Sequence, residues 1–316
     1  MNKQANLAFL FPGQGSQTVG MLAEFADNEI VKSTFAAASQ VLGYDLWQVA
    51  QEGPQDKLNQ TEITQPLLLT SSVALWRVWQ DSTELAPAYM AGHSLGEWSA
   101  LVCAGVVGFE DAVKLVQLRG RYIQEAVPQG EGAMAAIIGL DDNVVEKICA
   151  DIQTEDAVVA PVNYNSPGQL VIAGSAAAID KAIEACKEAG AKRALPLAVS
   201  APFHTVMMRP AADKLAEHVA TTAFNAPEIN VIHNVTAAPE SDPLKIKELM
   251  IQQIYSAVRW VECVQYLVKE GVEHSVECGA GKVLSGLSKR IDRSMNSYNT
   301  DTLEALSKSL ETLTNK

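Results

Sequence analysis

AYMAGHSLGEWSALVCA, residues 88–104, is the stretch that decides the fold. Residues 88–91 are apolar and few, as a buried strand is, and 97–104 continue at helical spacing. Between them, Gly92 to Gly96 reads GxSxG with Ser94 at its centre. A strand that turns sharply into a helix needs small residues on both sides of the bend, and the two glycines supply them. The bend lifts the Ser94 hydroxyl clear of the sheet and sets it at a helix N-terminus, where free N–H groups and the helix dipole stabilise developing negative charge. The N–H of Leu95 is then aimed at an oxyanion formed on a carbonyl attacked by Ser94. The plainer alternative is that Ser94 only caps the helix.

Upstream, residues 7–11 read as a buried strand ending in the Gly-rich turn 12–16, followed by helices at 30–42 and 66–79, with Pro66 placed in the first helical turn. Downstream, 109–127 is a helix, and Gly130 and Gly132 mark a break. The rhythm then changes. Strand 133–139, helix 142–151, strand 158–164, a turn at 165–168, strand 170–173, helix 175–189 and strand 193–199 form the β-α-β-β-α-β order of a ferredoxin-like unit. Beyond it come a helix at 210–223, a strand at 229–234, helices at 243–255 and 261–270, a strand at 274–277 and a helix at 283–291; the polar tail after Asp292 is expected to fray. Strands alternating with helices imply a mainly parallel sheet covered on both faces. The fold class is therefore α/β, with a catalytic domain made of 1–130 and 199–316 and an inserted small domain at 131–198.

The 316 residues suffice for such a pair of domains. A net charge of −13 argues against nucleic acid as a partner. Five widely spaced cysteines with no CxxC pair read as reduced thiols and not as a disulfide framework or zinc site. The apolar run 7–11 is too short for a signal peptide, and no stretch is long enough to span a bilayer, so a cytoplasmic protein without a membrane partner is expected.

A serine nucleophile needs a base within about 3 Å. Of five histidines, His93 adjoins Ser94 and leaves the bend in another direction, which suits a supporting role. His218 sits in an amphipathic helix beside Lys214 and Glu217 and reads as solvated. His233 and His274 belong to strands, where a satisfied or exposed ring is the bland reading. His204 follows Pro202 just past a strand's C-terminal end, where sites of open α/β sheets assemble, and is the preferred base. In the helix FEDAVKLVQLRGRYIQEAV, Arg119 falls in the middle of the apolar stripe formed by Ala112, Val113, Val116, Gly120, Ile123 and Val127. A guanidinium there either makes a structural salt bridge, snorkels outward, or grips a substrate carboxylate with its fork. FPGQGSQTVG (11–20) lacks the third glycine of a dinucleotide fingerprint, and CGAGKVLSG (278–286) has Val276 and Val283 where a phosphate loop needs Gly and Ser or Thr. Both turns can still present backbone N–H groups, and Gln14 and its neighbours are candidates for a second oxyanion donor.

FPGQGSQ (11–17), GHSLGEWSAL (92–101), the Arg119–Gly120 pair, GAMAAI (132–137), NYNSPGQ with VIAG (163–174), SAPFH (200–204) and QQIY with VRW (252–260) together resemble the malonyl-CoA:acyl-carrier-protein transacylases of bacterial fatty acid synthesis. The resemblance spans almost the whole chain. It implies an α/β-hydrolase-like domain with a ferredoxin-like insert and a Ser–His dyad in place of a full triad. It implies Ser94 as nucleophile, His204 as base, Arg119 as holder of the malonyl carboxylate, Gln14 and Leu95 as oxyanion-hole donors, and the backbone carbonyl of Gln253 as the group orienting His204. Malonyl-CoA and acyl carrier protein are the implied partners, coenzyme A enters as a thioester substrate, no cofactor or metal is implied, and a monomer is expected. Trp98 stands where Tyr is commoner, Phe203 where Ser also occurs and Ala280 where Pro is common; Phe203 bears on the acyl pocket. Lys192, Arg193, Lys289 and Arg290 are candidates for a basic patch that receives an acidic carrier protein. An esterase or thioesterase would share GxSxG but usually needs a carboxylate behind the histidine and has no use for Arg119. A non-catalytic malonyl-CoA-binding subunit is the other alternative.

Overall fold

The computed structural model describes residues 2–199 and 201–314. Ser200, within the SAPFH motif, lies outside them. Among the described residues, nine strands form two sheets. They are β1 (Asn2–Phe11), β2 (Leu85–Gly92), β3 (Gly132–Ile138), β4 (Val159–Ser166), β5 (Gln169–Ser175), β6 (Arg193–Pro196), β7 (Asn230–Ile232), β8 (His274–Glu277) and β9 (Asn296–Asn299).

The larger sheet runs β7-β2-β1-β8-β9 with every pairing parallel. Its central strand buries residues 7–11 completely, and Phe9 meets Trp76 and Trp79 edge-on at 5.2 and 5.1 Å. Such edge contacts favour the aromatic quadrupoles while filling the space between sheet and helix. Register sets Phe11 against Gly92. The turns leaving β1 and β2 therefore emerge side by side at the carboxyl edge, where α/β sheets gather ligands. The smaller sheet, antiparallel in order β4-β5-β3-β6, is built wholly from residues between 132 and 196 and has the ferredoxin-like order.

Three readings of the sequence need correction. The helix containing Pro66 spans Thr61–Ser82. Pro66 thus lies in its second turn, one turn later than expected, and its missing N–H leaves the Glu62 carbonyl without the usual helical donor. The tail does not fray: β9 pairs with β8, and the helix Leu303–Thr314 buries Leu306 and Leu313. Its apolar positions are few, which hid them in a polar composition. The expected turn at 165–168 is tighter, since β4 runs to Ser166 and β5 starts at Gln169; Pro167 and Gly168 turn the chain, Gly168 at φ 70°. The helices Leu46–Glu52 and Gln55–Leu58 lacked a long enough apolar period to be seen.

Candidate active site

Ser94 begins the helix Leu95–Cys103 at φ 51° and ψ −108°, a strained conformation for any residue with a side chain. The bend is possible because a Cβ on Gly92 would lie 1.9 Å from the Gly96 carbonyl carbon, and one on Gly96 would lie 2.0 Å from the Phe11 oxygen. Asn234, just past β7, braces it. Its Oδ1 accepts from the Ser94 N–H at 2.8 Å and its Nδ2 donates to the Gly92 carbonyl at 2.7 Å. The two bonds straddle the bend and offset part of its strain, which is of order 1–3 kcal/mol.

The Ser94 Oγ lies 2.8 Å from His204 Nε2, and His204 Nδ1 lies 2.8 Å from the Gln253 carbonyl oxygen. A carbonyl only accepts, so Nδ1 carries the proton and Nε2 is left with its lone pair toward the hydroxyl. Burial first, then the Arg119 charge, pushes the His204 pKa from 6.5 down to about 3. The imidazole is therefore neutral and ready to take a proton.

Arg119 is 1% exposed, on the helix Phe109–Ala126. Gly120 lets this helix press against the start of Thr61–Ser82: a Cβ there would meet the Thr61 carbonyl oxygen at 2.6 Å. The close approach brings Gln65 to Arg119. Its Oε1 accepts from Nη1 at 2.9 Å, Gln253 Oε1 accepts from Nη2 at 3.0 Å, and Nη2 points at Ser94 Oγ from 3.4 Å. Nε has no partner among the described residues. Desolvation lowers the guanidinium pKa to about 10, which still leaves it charged. Among the described residues Arg119 makes no ion pair, and at 1% exposure it does not snorkel outward.

Ser94, Leu95, Arg119, His204 and Gln14 line one cavity of about 110 Å³ with Phe203 and Met134. It is small beside the roughly 300–1,000 Å³ of pockets that enclose whole drug-sized ligands. The Asn163 Oδ1 atom in its wall is buried without a partner among the described residues. A larger apolar groove of about 570 Å³, lined by Phe25, Phe35, Tyr44 and Trp47, lacks a nucleophile–base pair. Phe203 borders the Ser94 cavity, whereas Trp98 is fully buried against Phe224 in the core.

The remaining histidines separate clearly. His93 bonds Asn165 Oδ1 at 2.8 Å and ties the elbow to the small sheet. His218 is half-buried and bonded to the Tyr122 hydroxyl at 2.9 Å, so it is not simply solvated as its helix position suggested. His233 is fully buried against Glu97. Gln65, Asn234 and Glu97 went unnoticed in the sequence. Gln65 directly precedes the proline taken as a helix start, and Asn234 lies two residues past a strand three residues long.

Fold and cavity place the chain among serine acyltransferases, and its similarities agree. The family described as "Acyl transferase domain" matches residues 8–294. The malonyl CoA-acyl carrier protein transacylase of Salmonella typhimurium is 58% identical over 285 residues, 90% of this chain and 92% of the relative. That of Escherichia coli K12 is 56% identical over 305 residues, 96% and 98% of the two chains. A crystal structure of an acyl carrier protein S-malonyltransferase from Vibrio cholerae superposes with a TM-score of 0.94 at 56% identity, covering 96% of this chain and 99% of that one. A type II polyketide acyl-carrier protein in complex with its malonyl-transacylase includes a chain at TM-score 0.95 and 50% identity, covering 97% and 99%. The chain belongs to the malonyl CoA-acyl carrier protein transacylase family.

Proposed function

We propose that the protein moves a malonyl group from coenzyme A to the phosphopantetheine thiol of acyl carrier protein through a malonyl ester on Ser94. The observation that carries this reading is the 2.8 Å Ser94–His204 contact with the Arg119 fork in the same cavity. As Ser94 Oγ bonds to the thioester carbon, its proton passes to His204 Nε2. The oxyanion is held by the N–H groups of Leu95, in the unpaired first turn of its helix, and of Gln14. The carbon–sulfur bond then breaks and the departing thiolate takes the proton from His204. The carrier thiol repeats the sequence in reverse, with the malonyl carboxylate on Arg119 throughout. Both steps exchange an acyl group between sulfur and oxygen with no change of oxidation state, so no cofactor enters the proposal. The unpartnered Asn163 Oδ1 in the cavity wall would accept an amide N–H of the pantetheine arm, which coenzyme A and the carrier protein share.

Arg290 Nη1 donates to Gln169 Oε1 at 2.6 Å, and Gln169, Ile138 and Arg193 are register partners across β5, β3 and β6. At strand spacings of about 5 Å, this groups the exposed Arg193, Lys192 and Arg290 at one end of the small sheet, with Lys289 beside Arg290. An acidic carrier protein would dock there; reversing these charges raises KM for the carrier but not for malonyl-CoA. Among the described residues no helix is long and apolar enough to cross a membrane, and all five cysteines are free. A cytoplasmic monomer completes the proposal. Comparing transfer to holo carrier protein with release of free malonate tests the function: transfer exceeding hydrolysis by orders of magnitude supports it, and hydrolysis alone makes the protein a thioesterase.

A further inference from the structure

Glu97 lies three residues after the nucleophile and is fully buried. A carboxylate in that setting is tolerated only when its oxygens are matched by donors. Oε1 accepts from His233 Nδ1 at 2.7 Å; Oε2 accepts from the Asn234 N–H at 3.1 Å and from Gln253 Nε2 at 2.7 Å. His233 Nε2 meets no partner among the described residues, so the ring meets the carboxylate through Nδ1 alone. The Coulomb field of Glu97 is what counters the desolvation of Arg119.

Between the two charges stands one side-chain amide. Gln253 Nε2 donates to Glu97 and to the Ser94 carbonyl at 2.9 Å, while its Oε1 accepts from Arg119. A glutamine amide can turn end for end with almost no change of shape, so its partners choose the orientation. Glu97 accepts and cannot donate; it fixes Nε2 on its own side and forces Oε1 toward the guanidinium. The fork is then steered by two neutral oxygens, those of Gln65 and Gln253, and no carboxylate among the described residues occupies it. A carboxylate directly on the fork would compete with the substrate. One amide away, it balances the buried charge and leaves Nε and the second Nη1 proton without a carboxylate partner among the described residues.

We infer that Glu97 is a positioning residue which, through the Gln253 amide, sets the preference for acyl groups that end in a carboxylate. The inference rests on Arg119 being the carboxylate clamp. Its test is the rate of acyl-serine formation from malonyl-CoA and from acetyl-CoA, read by intact-protein mass spectrometry, in the wild type, Glu97→Gln, Gln253→Met and Arg119→Ala. Glu97 also holds Asn234, so Glu97→Gln slows both acyl groups; the ratio isolates the effect on the fork. The expected result is a malonyl-to-acetyl ratio lowered about tenfold or more in Glu97→Gln, the scale of one charge-assisted hydrogen bond. Gln253→Met, which removes the bridging amide but keeps the backbone carbonyl beneath His204, lowers the ratio in the same way and carries the test if Glu97→Gln does not fold. A ratio unchanged in Glu97→Gln or Gln253→Met, while Arg119→Ala loses malonyl transfer far more than acetyl transfer, overturns this inference alone. Equal loss of both acyl groups in Arg119→Ala overturns the clamp on which it depends.

Discussion

Replacing Arg119 by alanine removes the only cation among the residues lining the acyl cavity. In the role proposed for it, the fork gives the malonyl carboxylate two charge-assisted hydrogen bonds, each worth about 1.5–3 kcal/mol. Together they amount to about 3–6 kcal/mol, or ~10²–10⁴-fold in rate. At 1% exposure, solvent and salt screen little of this. In the free protein the same change leaves Gln65 and Gln253 Oε1 without their donor, which costs about 1–3 kcal/mol each, but it also relieves the burial of a charge whose pKa has been driven to about 10. The variant therefore folds with a modest loss of stability, checked by thermal melting. Initial rates of Ser94 acylation, measured side by side, should fall ~10²–10⁴-fold for malonyl-CoA and by less than about tenfold for acetyl-CoA. Removing the positive charge also raises the proton affinity of His204, so the acid limb of the acetyl reaction moves to higher pH. Equal losses for the two acyl groups, with no movement of that limb, would refute the role given to the guanidinium.

Other outcomes follow from the same geometry. In the wild type the acid limb of kcat/KM lies below the 6.5 of a free imidazole, because His204 is held neutral down to about 3; a limb at or above 6.5 in a pH–rate profile contradicts the burial argument. The unfolded chain binds this proton near 6.5 and the folded one only near 3, so the contribution to stability is complete above 6.5 and is lost as pH falls toward 3, as acid titration of the melting temperature should show. Asn234→Ala frees both sides of the elbow and should slow acylation by malonyl and acetyl alike, about 10–100-fold in single-turnover rates. Truncation after Asp292 removes buried Met295, Leu306 and Leu313, about 4–9 kcal/mol by area, and should lower the melting temperature by on the order of 10 °C.

Much of this was legible in the chain because local rules were enough. GxSxG between an apolar strand and a helix determines the elbow, and the position of Arg119 on its stripe signals a buried cation without a structure. The ferredoxin-like insert was readable because its strands and helices alternate with clear turns. What escaped depends on contacts between distant segments. Gln65 reaches Arg119 across 54 positions, and Asn234 reaches Ser94 across 140. No periodicity marks either residue. Pro66 misled because a proline favours a first turn but is tolerated in the second when the helix is buried along its length. The C-terminal strand and helix escaped because their burial relies on β8 and the rest of the core, not on their own composition.

The central claim is that Ser94 carries the malonyl group. Brief mixing with malonyl-CoA, acid quenching and peptide mapping by mass spectrometry test it directly. The account predicts one malonyl ester, on the peptide containing Ser94, which disappears when holo carrier protein is added and does not form in Ser94→Ala. A malonyl adduct on another residue, or turnover that persists in Ser94→Ala, would contradict it.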